Sequence, residues 1–229
     1  MNDTLKLLSG GAAQALVGRL KNRCAQEIEG TFGAVGVMRD KLLAGQACDV
    51  LILTQALIDE LADQGLVRRD TAAPLGVVKT GVAVRAGDAR PDVSTPEALK
   101  AALRRAPGIY FPDPEKATAG IHFMKVLKTL GVDEELRERI RTFPNGAAAM
   151  GAMARVPDAG PIGCTQVTEI LLAPGVDLVA LLPSAFELAT VYTAAVCAQA
   201  RSPKVAEAFV RLLAGGEAAA ERKACGFES

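Results

Sequence analysis

Short apolar runs alternate along this chain with longer amphipathic segments, and small, glycine-bearing corners stand at the switches between them. That alternation predicts β-α-β units and a mostly parallel sheet. Thr4 to Ser9 reads as a strand, Gly10-Gly11 as a turn and Ala12 to Ala25 as a helix. Glu27 to Phe32 reads as a second strand, with Gly33-Ala34-Val35-Gly36 turning into a helix through Leu43. Asp49 to Leu53 is apolar without a break after its first residue, as expected of a strand covered on both faces, and a helix follows to Gln64 with Gly65 as its stop.

The extended, alternating stretch Leu75 to Arg85 is expected to carry the chain to a second lobe. Ser94-Thr95-Pro96-Glu97 is a helix start, with a hydroxyl cap, proline in the first turn and an acid near the positive helix end. Gly108 to Phe111 is the next strand, and a helix runs from Thr118 to Leu130 with Gly131 after it. Thr142-Phe143-Pro144 is extended, Asn145-Gly146 turns into a helix from Ala147 to Ala154, and Pro161 to Cys164 is a short strand from which Thr165-Gln166 starts a helix through Leu172. The alternating run Leu188 to Cys197 returns the chain to the first lobe, where helices from Pro203 to Leu213 and up to Gly226 pack. The expected fold is therefore α/β with two lobes, each a mostly parallel sheet flanked by helices. Lobe I is 1–80 plus 191–229, lobe II is 81–190, and the ligand cleft lies between them.

Lys plus Arg and Asp plus Glu both number 26, so the chain carries no net charge. With no basic run either, it offers no electrostatic footprint for nucleic acid. The five cysteines (Cys24, Cys48, Cys164, Cys197, Cys225) show no C-x-x-C spacing, and His122 is the single histidine, so neither a disulfide framework nor a multi-histidine metal site is expected. No dinucleotide G-x-G-x-x-G, phosphate-binding lysine loop or Ser-His-Asp order occurs, and no cofactor is expected. The segment after Met1 lacks the basic and apolar regions of a signal peptide, and no run approaches a membrane span. The sequence as written reads as cytoplasmic. It reads as periplasmic, with an ABC permease as partner, if a leader has been removed.

The corners Ser9-Gly10-Gly11, Gly33 to Gly36, Thr118-Ala119-Gly120 and Asn145-Gly146 share one character: small, uncharged and followed by a helix. A helix start presents unpaired N–H groups and partial positive charge, and glycine lets a ligand approach the backbone. Such corners gather beyond the carboxyl ends of parallel strands, so together they predict a small anionic ligand. The expected contacts are the backbone of Gly10, Gly11, Val35, Gly36, Ala119, Gly120 and Gly146, with Ser9, Thr118, Asn145, Thr165 and Gln166 as polar side chains. Lys116 is a candidate partner for a carboxylate, and Cys164 and Tyr192 complete the set. The structural alternative for each glycine is a close-packed junction, and for Ser9 and Thr118 a helix cap.

Thr31-Phe32-Gly33-Ala34-Val35-Gly36 ahead of Leu42 to Val50, Phe111-Pro112-Asp113-Pro114-Glu115-Lys116-Ala117-Thr118-Ala119-Gly120-Ile121, and the closing Gly226-Phe227 resemble molybdate-binding periplasmic proteins. The resemblance spans nearly the whole chain and implies two α/β lobes with a ligand in their cleft. That family uses side-chain hydroxyls in its first two turns and a late tyrosine. Here Gly10-Gly11, Ala34-Val35-Gly36 and Ile162-Gly163-Cys164-Thr165 stand in those places, a lining that suits a planar or multi-carboxylate organic anion. The chain resembles, less specifically, aconitate isomerase, which implies proton-transfer chemistry on an unsaturated polycarboxylate. For such chemistry the candidate groups are His122, one turn into its helix, Cys164 at a strand end, and Glu169. Their structural alternatives are a satisfied histidine, a buried apolar thiol and a solvated helix acid.

Overall fold

The computed structural model describes residues 4–228. In chain order the strands are β1 (Leu5–Gly10), β2 (Ile28–Gly33), β3 (Val50–Thr54), β4 (Ala73–Arg85), β5 (Ile109–Pro112), β6 (Ile140–Phe143), β7 (Ile162–Gln166), β8 (Val176–Leu181) and β9 (Ala189–Val196). The α-helices are α1 (Gln14–Leu20), α2 (Val35–Leu43), α3 (Gln55–Asp63), α4 (Pro96–Arg105), α5 (Thr118–Thr129), α6 (Gly146–Met153), α7 (Val167–Leu172), α8 (Pro203–Ala214) and α9 (Ala219–Ala224). They pack into two compact units. The first takes the chain up to Val78 and again from Thr190, and the second is Lys79–Ala189.

In the first unit β1 pairs in parallel with β2 and β3, while β9 runs antiparallel to β3. Val50 to Leu53 have no exposed surface, as a strand covered on both faces requires. Leu5, Leu7, Leu8, Leu16, Leu20, Ile58, Phe209 and Leu213 join them in one core. Each such large side chain contributes about 1.5–3 kcal/mol by leaving water. In the second unit β5 pairs in parallel with β6 and β7, and β4 pairs antiparallel with both β7 and β8. Its main core includes Leu99, Leu103, Phe111, Phe123, Leu127 and Cys164, with the Phe111 and Phe123 rings edge to face at 5.3 Å.

Local signals set several boundaries. Thr95 caps α4 by accepting from the Ala98 N–H at 3.1 Å, and Gly65 and Gly131 leave α3 and α5 with φ of 71° and 64°, where a Cβ is disfavoured. Other boundaries differ from the sequence expectation. Gly10 ends β1 rather than turning. The helix expected from Ala12 to Ala25 is the 3-10 turn Gly11–Ala13, α1, and a second 3-10 turn Lys21–Arg23. Thr165 and Gln166 belong to β7 rather than to a helix, because β4 extends the ladder to them: Gly81 stands opposite Thr165, and Thr80 opposite Gln166. Strand β8 was not anticipated, since its residues are only half-buried and lack a clean apolar face.

Candidate anion-binding site

Within the second unit, the carboxyl end of β7 is where polar side chains go into the interior. Residues Pro161 to Ile170 are all buried, so this strand-to-helix junction has no solvated face. Side chains alternate across a strand. A Cβ on Gly163 would meet the Met150 Cε at 2.5 Å, so Gly163 and Thr165 face α6. Cys164 packs with Phe123 and Leu127, so Cys164 and Gln166 face α5.

On the α6 side, the Thr165 hydroxyl donates to Glu169 Oε2 at 2.6 Å, and the Gly146 N–H donates to Glu169 Oε1 at 3.2 Å. Asn145 caps the helix, its Oδ1 accepting from the Ala148 N–H at 2.8 Å. A Cβ at residue 146 would overlap both the Thr165 hydroxyl and the Glu169 carboxyl. Glycine at this corner therefore makes room for an acid of the protein itself. Burial pushes the Glu169 carboxyl above its ordinary range, and the hydrogen bonds from Thr165, Gly146 and Ala147 pull the other way without cancelling it. Glu169 is thus a buried, well-partnered acid rather than a solvated helix residue, and the N–H expected for ligand at Gly146 is already engaged.

On the α5 side, Gln166 is 2 % exposed and Thr80, directly across the ladder, 1 %. Both amide atoms of Gln166 and the Thr80 hydroxyl lack a hydrogen-bond partner among the described residues, as does the hydroxyl of buried Thr168. Leaving a buried polar atom unpaired costs about 1–3 kcal/mol, so such groups need an explanation. Facing residues of a ladder hold their Cβ atoms roughly 5 Å apart, which puts the unpaired Thr80 hydroxyl and Gln166 amide side by side. Helix α5 starts on this side of β7 with no side-chain cap. Thr118 is half-buried and Ala119 and Gly120 are buried there. Gly120 has a packing duty, since a Cβ would collide with the carbonyl oxygens of Pro112 and Asp113. The preceding loop, which holds Lys116, is fastened by Asp113, whose Oδ1 accepts from the N–H of Glu115 and of Lys116 at 2.7 and 3.0 Å.

The other candidates fall as follows. His122 sits 2.8 Å from the Phe186 carbonyl through Nε2; a carbonyl only accepts, so Nε2 carries the hydrogen and the ring ties α5 to the 3-10 turn Ser184–Phe186. Cys164 has no exposed surface, and burial pushes its thiol well up, which opposes the thiolate form. In the first unit the Ser9 hydroxyl donates to the Gly10 carbonyl at 2.8 Å rather than capping a helix. A Cβ on Gly10 would come within 2.8 Å of Val35 Cγ1 and 3.0 Å of Tyr192 Cε1, so this glycine seats those two side chains. Gly11 is buried in the first 3-10 turn, and Gly36 is half-buried as the second residue of α2. Sequence reasoning missed Thr80 and Thr168. Thr80 looks like any polar member of an alternating strand until the register sets it against Gln166.

Aconitate isomerase from a Pseudomonas species is 28% identical over 181 residues, 79% of this chain and 67% of that protein. The periplasmic molybdate-binding protein of Azotobacter vinelandii superposes with a TM-score of 0.79 at 20% identity, over 98% of this chain and 99% of that one. The sulfate-binding protein of Mycobacterium tuberculosis superposes with a TM-score of 0.72 at 17% identity, over 98% of this chain and 86% of that one. These likenesses give the fold, a periplasmic-binding-protein-like α/β arrangement. The family of bacterial extracellular solute-binding proteins matches residues 9–228, nearly the entire chain, and this chain belongs to that family.

Proposed function

We propose that this protein binds a small oxyanion or organic carboxylate, and that Gln166, Thr80, Thr168 and the start of α5 in the second unit contribute its seat. The observation that carries the reading is the set of buried, unpartnered polar atoms on Gln166, Thr80 and Thr168. The Gln166 amide nitrogen and the two threonine hydroxyls are buried donors whose desolvation cost falls on folding, so a ligand that pairs with them binds without bearing it again. The names of two similar folds, molybdate-binding and sulfate-binding, agree with an anionic guest. Membership in an extracellular solute-binding family supports work outside the cytoplasm with an ABC-type permease as partner. Among the described residues no helix is long and apolar enough to cross a membrane. A thermal-shift and calorimetric panel of molybdate, sulfate, phosphate, citrate and the two aconitates tests the reading. At least one anion is expected to raise the melting temperature, and silence across the panel counts against it.

A second reading, an isomerase shifting a double bond in an unsaturated polycarboxylate, is favoured by one feature. Glu169 is a buried carboxyl whose proton affinity is raised by burial, the direction of shift that an acid-base carboxyl needs. The likeness to aconitate isomerase points the same way. Proton NMR of cis- and trans-aconitate in deuterated water separates the two readings. Interconversion or deuterium uptake supports the enzyme, and binding without either supports the carrier.

A further inference from the structure

Two of the five cysteines, far apart in sequence, are neighbours in the first unit. Cys48 enters β3 and Cys197 leaves β9, and these strands are antiparallel with Val50 opposite Val196. The ladder continues one step past the strand ends: the Cys197 N–H donates to the Asp49 carbonyl at 2.9 Å. Cys48 and Cys197 are 8 % and 3 % exposed, and both line a single cavity of about 420 Å³ with Asp49, Leu42, Leu66 and Arg201. The Cys48 thiol donates to the Val50 carbonyl at 3.1 Å. The neighbouring Cys48 thiol, followed by burial and nearby negative charge, raises Cys197 far above the ordinary thiol range. Both cysteines are free thiols in this structure.

We infer that Cys48 and Cys197 form a thiol pair built to close into a disulfide that staples the entry of β3 to the exit of β9. The cavity gives a small disulfide oxidant, such as oxidised glutathione, a route to Cys48, the more exposed of the two. Cys48 gives up its proton and its sulfur attacks one sulfur of the oxidant, the oxidant's S–S bond breaks, and one glutathione leaves as thiolate, which takes up a proton in turn. Cys197 then gives up its proton to solvent and attacks Cys48 Sγ in the mixed disulfide, expelling the second glutathione. Two protein thiols are oxidised by two electrons in all, and one oxidised glutathione becomes two thiols. The resulting loop of about 150 residues contains the whole second unit, a span over which cross-linking strongly restricts the unfolded chain. Burial of both sulfurs, 8 % and 3 % exposed, restricts the approach of an oxidant, so the pair oxidises during folding more readily than in the finished protein.

The test is to unfold the full chain in urea with reductant, then refold it in a buffer of reduced and oxidised glutathione. Intact mass is expected to show the loss of two hydrogens, and a tryptic map to join the Cys48 peptide to the Cys197 peptide. The melting temperature is expected to rise by roughly 5–15 °C over the reduced protein and to fall back with dithiothreitol. Cys48→Ala and Cys197→Ala are each expected to abolish the cross-link and the shift. The wild-type peptide map decides the matter even if either variant folds poorly. Stable glutathione adducts without the cross-link, linkage to Cys24, Cys164 or Cys225 instead, or Cys48 and Cys197 left as free thiols under excess oxidised glutathione would each overturn the inference.

Discussion

The Gly146 amide donates to the Glu169 carboxyl at 3.2 Å, so the first turn of α6 is closed by an acid from α7, 23 residues further along the chain. An N-terminal helix corner with asparagine and glycine has the same composition whether it is open for a guest or shut by the protein. Here it is shut, and the open polar groups lie on the other face of β7.

Gly146→Ala places a methyl group where the Thr165 hydroxyl and Glu169 carboxyl already are. Neither neighbour is at the free end of an exposed side chain, so the junction must shift, and a loss of about 2–4 kcal/mol is expected in urea unfolding. Gly18→Ala is the control. Gly18 is exposed within α1 with no atom near the added carbon, and a gain of about 0.5–1 kcal/mol is expected there.

Glu169 makes stability depend on pH in a defined direction. Its folded proton affinity is raised above that of the unfolded chain, so the folded state binds the proton more tightly. The contribution is intact below the ordinary carboxylate range and is lost as pH climbs from there through the raised folded value. Urea midpoints measured from about pH 4 to about pH 8 are expected to fall over this window in the wild type. In Glu169→Gln, which keeps the shape and removes the titration, that part of the slope is expected to vanish.

Gln166→Leu separates binding from folding. Removing an unpaired buried amide relieves a cost of about 1–3 kcal/mol, so the ligand-free variant is expected to melt at or above the wild-type temperature. Affinity for whichever anion the panel identifies is expected to drop by roughly tenfold or more, equal to about 1.4 kcal/mol. A variant that loses stability while keeping full affinity would make Gln166 a structural residue.

Asp49 is a purely structural acid and serves as the contrasting case. Its carboxyl is 2 % exposed and accepts from the N–H of Lys6 at 2.7 Å, of Arg201 at 2.6 Å and of Ser202 at 3.4 Å. Asp49→Ala strands these donors and is expected to cost about 2–4 kcal/mol in denaturant unfolding. Calorimetric affinity for the same anion, measured well below the melting temperature, is expected to be unchanged.

The sequence by itself determined most of the succession of strands and helices, though not β8, together with the glycine stops at Gly65 and Gly131, the Thr95 cap and the two-faced burial of β3. Each of these rests on a few consecutive residues, where propensity, backbone freedom and apolar spacing act directly. Only the tertiary structure decided that Thr80 faces Gln166, that Gly146 holds Glu169, that Gly10 seats Val35 and Tyr192, and that Cys48 and Cys197 line one cavity. Those pairings depend on strand register and on which surface each side chain is turned to. A shift of one residue exchanges the faces of a strand, and burial of the apolar core selects the register that keeps them in place.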